Sequence, residues 1–515
     1  MKKTFVKGLT LAIMAAGITA CGSDDKDTTP KDNGVSANLS ADPSFVFDQT
    51  TYIGAVNPAD STEWYAFALE GSYPETAAEI ELTNTSNATA FEPNVTFQPD
   101  MTGITAATEC PAGAGTYQVV DSGDDVTIGS QTFKKCTLSG SILEDLSLSN
   151  DVVWRLSGRV NVGDGNRTLT ADDSEVRDVT LTVAAGTIFH SSTGSSLVVT
   201  RGAKIIAEGT EDQPIVFAGE ETATYGGKGE WGGLVLQGFG YDNKCGDPEV
   251  ETICNQAGEG ASGMFGGFDN SDNSGSLEYV IVTEAGSELS NGDELNGIGF
   301  MGVGYGTNLD YIQVHNNVDD GVELWGGAAN LKHLVLTAIS DDSIDWDEGY
   351  VGNIQYALII QTQNQGKTSN HAFELDTKGD APESAYQESN PTVANVTAIA
   401  SLDDTDLDTA NSNTFQGNGI NLKDGSEGRF FNTVLLGDYT NCVYIKDETS
   451  YADDTAAQAA FVNVYGLCDT AVEDNRGGAN AVSIEAGVAT LSDTLAYAGA
   501  VSATIESAEI DGSAE

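Results

Sequence analysis

Short runs of alternating hydrophobic and polar residues recur along this chain at a nearly constant spacing. The clearest repeats begin 22 and 23 positions apart, at Asn308–Val314, Asn330–Leu336 and Asn353–Ile359. A second short run follows the first two of them, at Gly321–Trp325 and Ser343–Asp347. A period of this length, made of strands and turns and lacking a leucine-rich signature, indicates a solenoid. We therefore predict an all-β chain that forms a single parallel β-helix with capping segments at both ends.

The alternation within the second run predicts which side chains enter the interior. The same pattern extends to seven segments, so two inward rows result. The first row contains Leu234, Ile298, Val322, Ile344, Phe373, Ile420 and Val443. The second row contains Leu236, Phe300, Leu324, Trp346, Leu375, Leu422 and Ile445. Because stacked strands lie about 4.8 Å apart, equivalent residues of successive coils should lie directly above one another.

The segments outside the repeats predict the domain organisation. Residues 241–274 and 377–391 interrupt the period and are expected to be loops that leave the solenoid. The strand-like pieces Phe45–Phe47 and Trp64–Leu69 favour a further small β-structure before the repeats. We predict a signal peptide at 1–20, a lipidated tether at 21–40, an N-terminal cap or small β-domain at 41–135, the β-helix at 136–450 and an acidic C-terminal cap at 451–515.

The N-terminus has the plan of a secretory signal. Three lysines precede the apolar run Leu9–Ala16, and Ile18–Cys21 follows it. A cysteine at the cleavage position resembles the bacterial lipobox, which implies lipidation of Cys21, with palmitate among the acyl chains. The Gly22 that follows implies the outer membrane of a Gram-negative cell, facing the periplasm or the cell surface. No other apolar stretch reaches the roughly 18 residues of a membrane span, so we expect the acyl chains to be the only anchor.

Six cysteines remain after Cys21, and an exported protein can oxidise them. Six cysteines allow 15 pairings. Pairing of nearest neighbours along the chain predicts three local disulfides: Cys110–Cys136, Cys245–Cys254 and Cys442–Cys468. A cysteine metal site is disfavoured because the chain has no Cys-x-x-Cys spacing and only 4 histidines.

The charge excludes some functions and favours others. The chain has 22 Lys+Arg and 78 Asp+Glu, which gives a formal net charge of -56. Such a chain does not bind nucleic acid and has no polybasic attachment to anionic lipid headgroups. Cations and cationic partners are favoured instead.

Part of the acid excess falls on outward positions of successive coils. One predicted column contains Glu323, Asp345 and Glu374, and Asp347 and Asp376 lie in the next column. Carboxylates this close repel one another unless they are solvated, protonated or bound to a cation, and hard oxygen ligands suit Ca²⁺. We therefore predict a Ca²⁺ site here, with a solvated acidic face as the alternative.

Further candidate ligand positions surround this column or lie in a separate loop. Asp404, Asp406 and Asp408 place short oxygen ligands in a turn-forming sequence, although they do not complete a calcium loop. Candidates for contact with a ligand are Trp325, which can stack on a sugar ring, Met301 and His371.

Several blocks of the chain also resemble a known family. These blocks are Leu197–Ile205, Gln213–Phe217, Glu230–Leu236, Asp272–Val280 and Asp341–Asp345. They are similar to the recurring blocks of a bacterial exported lipoprotein family that is common in marine and Bacteroidota-type genomes. The resemblance covers about residues 138–440 and implies a right-handed parallel β-helix. The label of multidrug transporter that this family often carries conflicts with the absence of transmembrane helices.

Three classes of function follow from these patterns. The first is a calcium-stabilised binding scaffold whose partner is a glycan, a surface protein or an outer-membrane protein. The second is a polysaccharide lyase or glycoside hydrolase that uses Asp341, Asp342, Asp345 and Glu374, although the Gly-His-Gly and Arg-x-Lys segments of polygalacturonases are missing. The third is a structural spacer. We favour the scaffold because of the lipobox, the 22-residue period and the acidic column. Asp319, Asp320, Asp341 and Asp342, with Asn370 and His371, fit a ladder of backbone hydrogen bonds better than catalysis.

Overall fold

The structure is a computed structural model in which 25 strands join one sheet wound into a β-helix. It describes residues 42, 44–48, 50, 52–57, 64–73, 94–97, 99–170, 176–220, 225–248, 250–287, 295–361, 371–377, 387–400, 417–437, 439–446, 460–466, 468, 470–474 and 488–490. No helix occurs within these ranges, and consequently none that could span a membrane. The expected all-β parallel β-helix is confirmed.

The strands of the described ranges follow in chain order. They are β1 (Tyr117–Asp121), β2 (Val126–Ile128), β3 (Gln131–Phe133), β4 (Lys135–Ile142), β5 (Leu146–Leu148), β6 (Val153–Val162), β7 (Thr180–Val183), β8 (Ile188–Ser191), β9 (Ser196–Val199), β10 (Lys204–Glu208), β11 (Ile215–Gly219), β12 (Gly233–Gln237), β13 (Gln256–Gly258), β14 (Gly263–Phe265), β15 (Gly275–Thr283), β16 (Ile298–Met301), β17 (Asn308–His315), β18 (Val322–Trp325), β19 (Leu331–Thr337), β20 (Ile344–Asp347), β21 (Asn353–Ile360), β22 (Phe373–Leu375), β23 (Thr392–Ile399), β24 (Ile420–Leu422), β25 (Arg429–Leu436), β26 (Asn441–Ile445), β27 (Ala460–Gly466), β28 (Thr470–Asp474) and β29 (Val488–Thr490).

Each coil contributes to three faces. Face C contains the short strands β9, β12, β16, β18, β20, β22, β24, β26 and β28, which pair in parallel in that order. Faces A and B contain the first and second halves of the long strands β15, β17, β19, β21, β23, β25 and β27. Earlier coils supply β5, β7 and β10 to face A, and β8 and β11 to face B.

A column of residues with positive φ separates faces A and B. Its members are Tyr279, Tyr311, His333, Tyr356, Asn395, Asn432 and Asn463, with φ between 49° and 64°. Asparagine tolerates the left-handed region, whereas Tyr and His do not favour it. The rings offset this cost by stacking, with centroids 4.4 Å apart for Tyr279–Tyr311, 4.2 Å for Tyr311–His333 and 4.9 Å for His333–Tyr356.

The two predicted inward rows fill the interior of the solenoid. Both inward rows of face C are in the expected register, for example Leu234 with Ile298 and Phe300 with Leu324. All members of the two rows are buried. The largest, Trp346, stacks on Phe430 with centroids 5.9 Å apart and donates a hydrogen bond of 2.9 Å from Nε1 to Ser426. Dispersion and hydrophobic burial along these rows stabilise each coil against the next.

The first part of the region 41–135 packs on the outside of the solenoid. The described residues of the range 45–73, here called the N-terminal strap, run outside the solenoid as extended chain and turns. Phe47 packs on face A and the residues from Ile53 onward pack on face B, so the expected strands at Phe45–Phe47 and Trp64–Leu69 are absent from the described residues. Buried side chains of face B bind the strap backbone. The amides of Leu69 and Ala55 donate to Gln313 and Thr397 over 2.7 and 2.9 Å.

The ends of the solenoid differ from the expected boundaries. At the N-terminal end, β1 pairs antiparallel with β4 and therefore covers the first edge. At the other end, β27, β28 and β29 continue the parallel pairing beyond residue 450, so the β-helix extends at least to residue 490. The remainder of the predicted C-terminal cap lies outside the described residues.

The predicted disulfides are confirmed. The Cα atoms are 5.7 Å apart in Cys110–Cys136, 5.4 Å in Cys245–Cys254 and 5.5 Å in Cys442–Cys468. The second disulfide lies within residues 241–274, here called the insertion, which leaves the solenoid as predicted. The insertion returns through the hairpin of β13 and β14 and packs on face C, where Phe265 contacts Val198 and Val235.

Candidate functional site

Three carboxylates lie one above another on the outside of face C, as the alternation predicts. Glu323, Asp345 and Glu374 occupy equivalent positions of β18, β20 and β22. The column continues with Asn421 and Tyr444. The strands place these carboxylates on the outer surface because their neighbours in sequence fill the interior.

The turns that precede β18 and β20 add four more acids. The structure brings three groups of carboxylates together, and within each group the oxygen atoms lie within 4.8 Å of one another. The groups are Asp319, Asp320 and Asp341, then Asp320, Glu323 and Asp345, then Asp342, Asp345 and Glu374. We call the seven residues the acidic cluster. Asp320 and Asp345 each belong to two groups, so the groups form one continuous row along the solenoid.

Some of the turn side chains also hold the coils together. The amides of Asp320 and Asp342 donate to Asn296 Oδ1 and Asp320 Oδ1 over 3.1 and 2.9 Å. The amide of His371 donates to Asp342 Oδ1, and the amide of Asn418 donates to His371 Nδ1 over 2.7 Å. The expected ladder of backbone hydrogen bonds is confirmed for Asp320, Asp342 and His371, whereas Asn370 lies outside the described residues.

The acidic cluster leaves one of its buried oxygens without a partner. Asp345 Oδ1 is inaccessible to solvent and accepts no hydrogen bond from any described residue. Burial, reinforced by neighbouring carboxylates, raises the pKa values of Asp320, Glu323, Asp342 and Asp345 well above their usual range. These groups must therefore bind protons or a cation, because charged and uncompensated carboxylates in this position destabilise the fold.

The chain itself supplies a cation at one end of the row. Lys423 Nζ lies 2.9 Å from Glu374 Oε2 and 3.0 Å from Asp376 Oδ2. Burial opposes ionisation of Glu374, but Lys423 outweighs it and lowers the pKa of Glu374. Burial dominates at Asp376 and raises its pKa to about 8. Within the described residues, no lysine or arginine forms an ion pair with Asp320, Glu323, Asp342 or Asp345.

The structure does not bring all the predicted metal ligands together. Asp347 and Asp376 belong to none of the carboxylate groups found among the described residues. Burial and then the neighbouring Glu348 raise the pKa of Asp347 to about 6. Asp404, Asp406 and Asp408 lie outside the described residues, so their contribution stays a prediction.

Two of the three predicted ligand contacts are buried in the structure. Met301 is fully buried, because Phe265 of the insertion and Leu295 cover it. His371 is also buried, its Nδ1 accepts the Asn418 amide, and burial lowers its pKa to about 4. Trp325 remains half-buried, and its ring lies over Gly299, where a Cβ atom would be 3.2 Å from Cζ3 of Trp325. It is the one predicted contact that a ligand can reach.

The sequence analysis assigned the turn acids to the ladder, or Asp341 and Asp342 to catalysis, and did not include any of the four among the metal ligands. Asp319 and Asp320 recur as Asp341 and Asp342 after 22 positions, immediately before the strands that carry Glu323 and Asp345. This spacing places the paired acids and the strand acids in the same two coils. A search of the repeat for acids in both the turn and the strand would have found the complete cluster.

The acidic cluster has the chemistry of a hard-cation site. Its donors are all carboxylate oxygens, and Asp345, which belongs to two of the groups, carries the orphaned Oδ1. Ca²⁺ takes 6–8 oxygen ligands in flexible geometry, whereas Mg²⁺ demands near-ideal octahedral geometry. The residues present therefore fit Ca²⁺, with Asp320 and Asp345 placed to bridge neighbouring groups.

A scan against known families matches residues 140–506 to the family described as pectate-lyase like beta helix domain. The chain belongs to this family. Searches of curated proteins and of solved structures returned no match. The matched residues, 140–506, include every member of the acidic cluster and the whole insertion.

Proposed function

We propose that this protein is an exported, lipid-anchored β-helix scaffold that binds Ca²⁺ at the acidic cluster and presents face C to a glycan or a surface protein. The observation that carries the proposal is the convergence of seven carboxylates, one of them with an orphaned buried oxygen, while Lys423 lies at the Glu374 end and no described lysine or arginine forms an ion pair with Asp320, Glu323, Asp342 or Asp345. A divalent cation compensates this charge in the coils that Lys423 does not reach.

Face C also offers a surface for a partner. The Trp325 ring lies over Gly299, and in the strand register Trp325 pairs with Asp347, two positions along from the pair Glu323 and Asp345. Indole rings stack on the apolar faces of sugars, and carboxylates accept hydrogen bonds from hydroxyl groups. A glycan is therefore the partner that this surface fits best, and an outer-membrane or surface protein is the other.

Calcium binding can be measured directly by isothermal titration calorimetry on the purified protein after chelator treatment. We expect saturable Ca²⁺ binding, because the cluster brings seven carboxylates together in three groups whose oxygen atoms lie within 4.8 Å of one another. Asp345→Asn keeps the shape of the side chain but removes the charge shared by two groups, so we expect its Ca²⁺ affinity to fall at least about tenfold, or 1.4 kcal/mol.

Asp212→Asn is the matched control, because Asp212 is exposed and far from the cluster in sequence and fold. It makes the same change of net charge and should bind Ca²⁺ as the parent protein does. Equal affinities for Asp345→Asn and Asp212→Asn would show that any binding is diffuse attraction to an acidic surface, and would remove the site.

The anchor has an independent test. Cys21 lies outside the described residues, so the proposal of lipidation rests on the sequence. Expressed in a Gram-negative host, the protein should fractionate with outer membranes, while Cys21→Ala should move to the soluble periplasmic fraction. A Cys21→Ala protein that stays in the membrane fraction would contradict the acyl anchor.

The family match favours a second candidate, a polysaccharide lyase or hydrolase. Its acids would be Asp341, Asp342, Asp345 and Glu374, but the geometry of Asp342 argues against catalysis, because this residue is buried and Oδ1 accepts the His371 amide. Polysaccharide cleavage that Asp342→Asn abolishes would favour this candidate over the scaffold.

A further inference from the structure

A cavity of about 250 Å³ lies between the insertion and the first coils, away from the acidic cluster. Its apolar walls include Phe239, Phe268, Leu169 and Ile253. Pockets for drug-sized ligands span roughly 300–1,000 Å³, so this cavity suits a smaller molecule with about one ring. The solenoid and the disulfide-closed insertion both contribute walls, so the cavity forms only when the insertion is in place.

Arg201 forms a buried and positively charged part of the cavity wall. Its side chain is fully buried, and its five N–H groups all donate to neutral oxygens. Nε donates to Gly165 over 2.9 Å, Nη1 donates to Cys254 and Gly266 over 2.8 and 3.0 Å, and Nη2 donates to Arg167 and Asn255 over 2.8 and 3.2 Å. No described carboxylate pairs with it, so its charge stays uncompensated.

Two acids complete the lining. Asp269 is half-buried, and both hydrogen bonds that it accepts from Ser271, of 2.9 and 2.5 Å, go to Oδ1. Its Oδ2 is therefore available to a ligand. Asp272 lies deeper, and burial raises its pKa to about 7, so it is partly protonated at neutral pH and can also donate a hydrogen bond.

This combination of charges excludes most ligand classes. A cation would meet the uncompensated guanidinium of Arg201. An anion would meet Asp269 and would find no free N–H on Arg201. A purely apolar molecule would desolvate both acids without replacing their hydrogen bonds, which costs several kcal/mol per charged group. A neutral ring with several hydroxyl groups avoids all three costs, because its hydroxyls bind carboxyl oxygens while its C–H face packs on Phe239 or Phe268.

We propose that the cavity between the insertion and the solenoid binds a neutral sugar ring, such as the terminal residue of a glycan, with Phe268 as the stacking surface and Asp269 as the hydroxyl acceptor. This inference does not depend on calcium or on the face C surface.

The test uses sugars that share a ring and differ in charge. Titration calorimetry on the full chain in EGTA should detect binding of D-galactose or D-glucose. The charged counterparts D-galacturonate and D-glucosamine should bind at least about tenfold more weakly. Phe268→Ala should lose neutral-sugar binding at least about tenfold, while Phe45→Ala, an aromatic truncation on the N-terminal strap, should retain it.

Asp269→Asn keeps an acceptor oxygen, so it should bind neutral sugar more weakly than the parent but more tightly than Phe268→Ala. Asp269→Asn also keeps the inference testable if Phe268→Ala fails to fold. Absence of binding by either neutral sugar, preference for galacturonate or glucosamine, or full binding by Phe268→Ala would each overturn the inference. Because EGTA removes calcium, failure here leaves the cation proposal unaffected, and Asp345→Asn should still bind the sugar.

Discussion

In the absence of divalent cations, the protein is expected to lose stability as the pH rises from about 4 to 8, and millimolar Ca²⁺ is expected to restore it. The usual pKa is 4.5 for Glu323 and 3.8 for Asp320, Asp342 and Asp345, and burial with mutual repulsion raises all four in the folded state. Above the unfolded values, the folded state holds more protons than the unfolded state, so the free energy of unfolding falls with increasing pH. The decline ends once the pH passes the raised folded values.

Asp376 and Asp347 act in the same direction, since their folded pKa values are about 8 and about 6. Glu374 acts in the opposite direction, because Lys423 lowers its pKa, but its contribution is complete above its usual value of 4.5. Three buried histidines oppose the decline below their usual pKa of 6.5, because burial lowers the pKa of His190 and His371 to about 4 and that of His315 to about 3. Above pH 6.5 the decline reports on buried acids, which also include Asp272 and Glu284 outside the cluster, with pKa values raised by burial to about 7 and about 8. Recovery of stability in Ca²⁺ is the result that assigns the effect to the acidic cluster.

Calcium should reverse the effect because it binds the ionised form. At a Ca²⁺ concentration 100 times Kd, binding to the folded state alone adds about 2.7 kcal/mol to the free energy of unfolding. The measurement is denaturant unfolding at pH 5 and pH 8, in EGTA and in Ca²⁺. A free energy of unfolding that rises with pH in EGTA would contradict the statement that the buried carboxylates of the cluster are uncompensated.

Removing charge from the acidic cluster should separate two effects on stability, namely repulsion between the carboxylates and binding of Ca²⁺. The double variant Glu323→Gln with Asp345→Asn removes two buried charges, so we expect greater stability than the parent in EGTA at pH 8, by about 1–3 kcal/mol. The same variant should gain nothing from Ca²⁺. The control Glu144→Gln with Asp212→Asn makes the same change in net charge at exposed positions and should behave as the parent in both conditions.

Trp346→Ala should lower the free energy of unfolding by about 3–5 kcal/mol, because it opens a cavity in the interior of the solenoid. Trp346 is fully buried between Tyr350, Phe373 and Phe430. Denaturant unfolding followed by circular dichroism measures the loss. Trp346→Phe retains most of the packing but removes the bond to Ser426, so it should cost about 1–2 kcal/mol.

Trp325→Ala provides the matched control, since the same residue type lies on the neighbouring strand of face C but points outward. Trp325 is half-buried, and its truncation should cost only about 1 kcal/mol. Similar losses for Trp325→Ala and Trp346→Ala would mean that the alternation of inward and outward positions is wrong.

The sequence by itself determined the coil register of face C, both inward rows, the acidic column and the three disulfides. These features depend on local alternation and on the repeat length, which act wherever the chain forms stacked strands. Pairing of Glu323 with Asp345 follows directly once Val322 and Leu324 must enter the interior. The short distances between paired cysteines along the chain made local disulfides easy to form.

Only the tertiary structure decided the remaining features. Segments such as Asn308–Val314 carry no sign in their hydrophobicity that they bend at Tyr311 into two faces, since the bend arises from stacking on equivalent residues of other coils. Met301 has the pattern of an exposed residue but is buried, because the insertion returns over face C through contacts far apart in sequence. The course of the N-terminal strap is likewise decided by distant contacts, because its backbone amides donate to polar side chains such as Gln313 on face B. Local patterns determine how each coil folds, whereas contacts between distant segments determine which of its surfaces stay exposed.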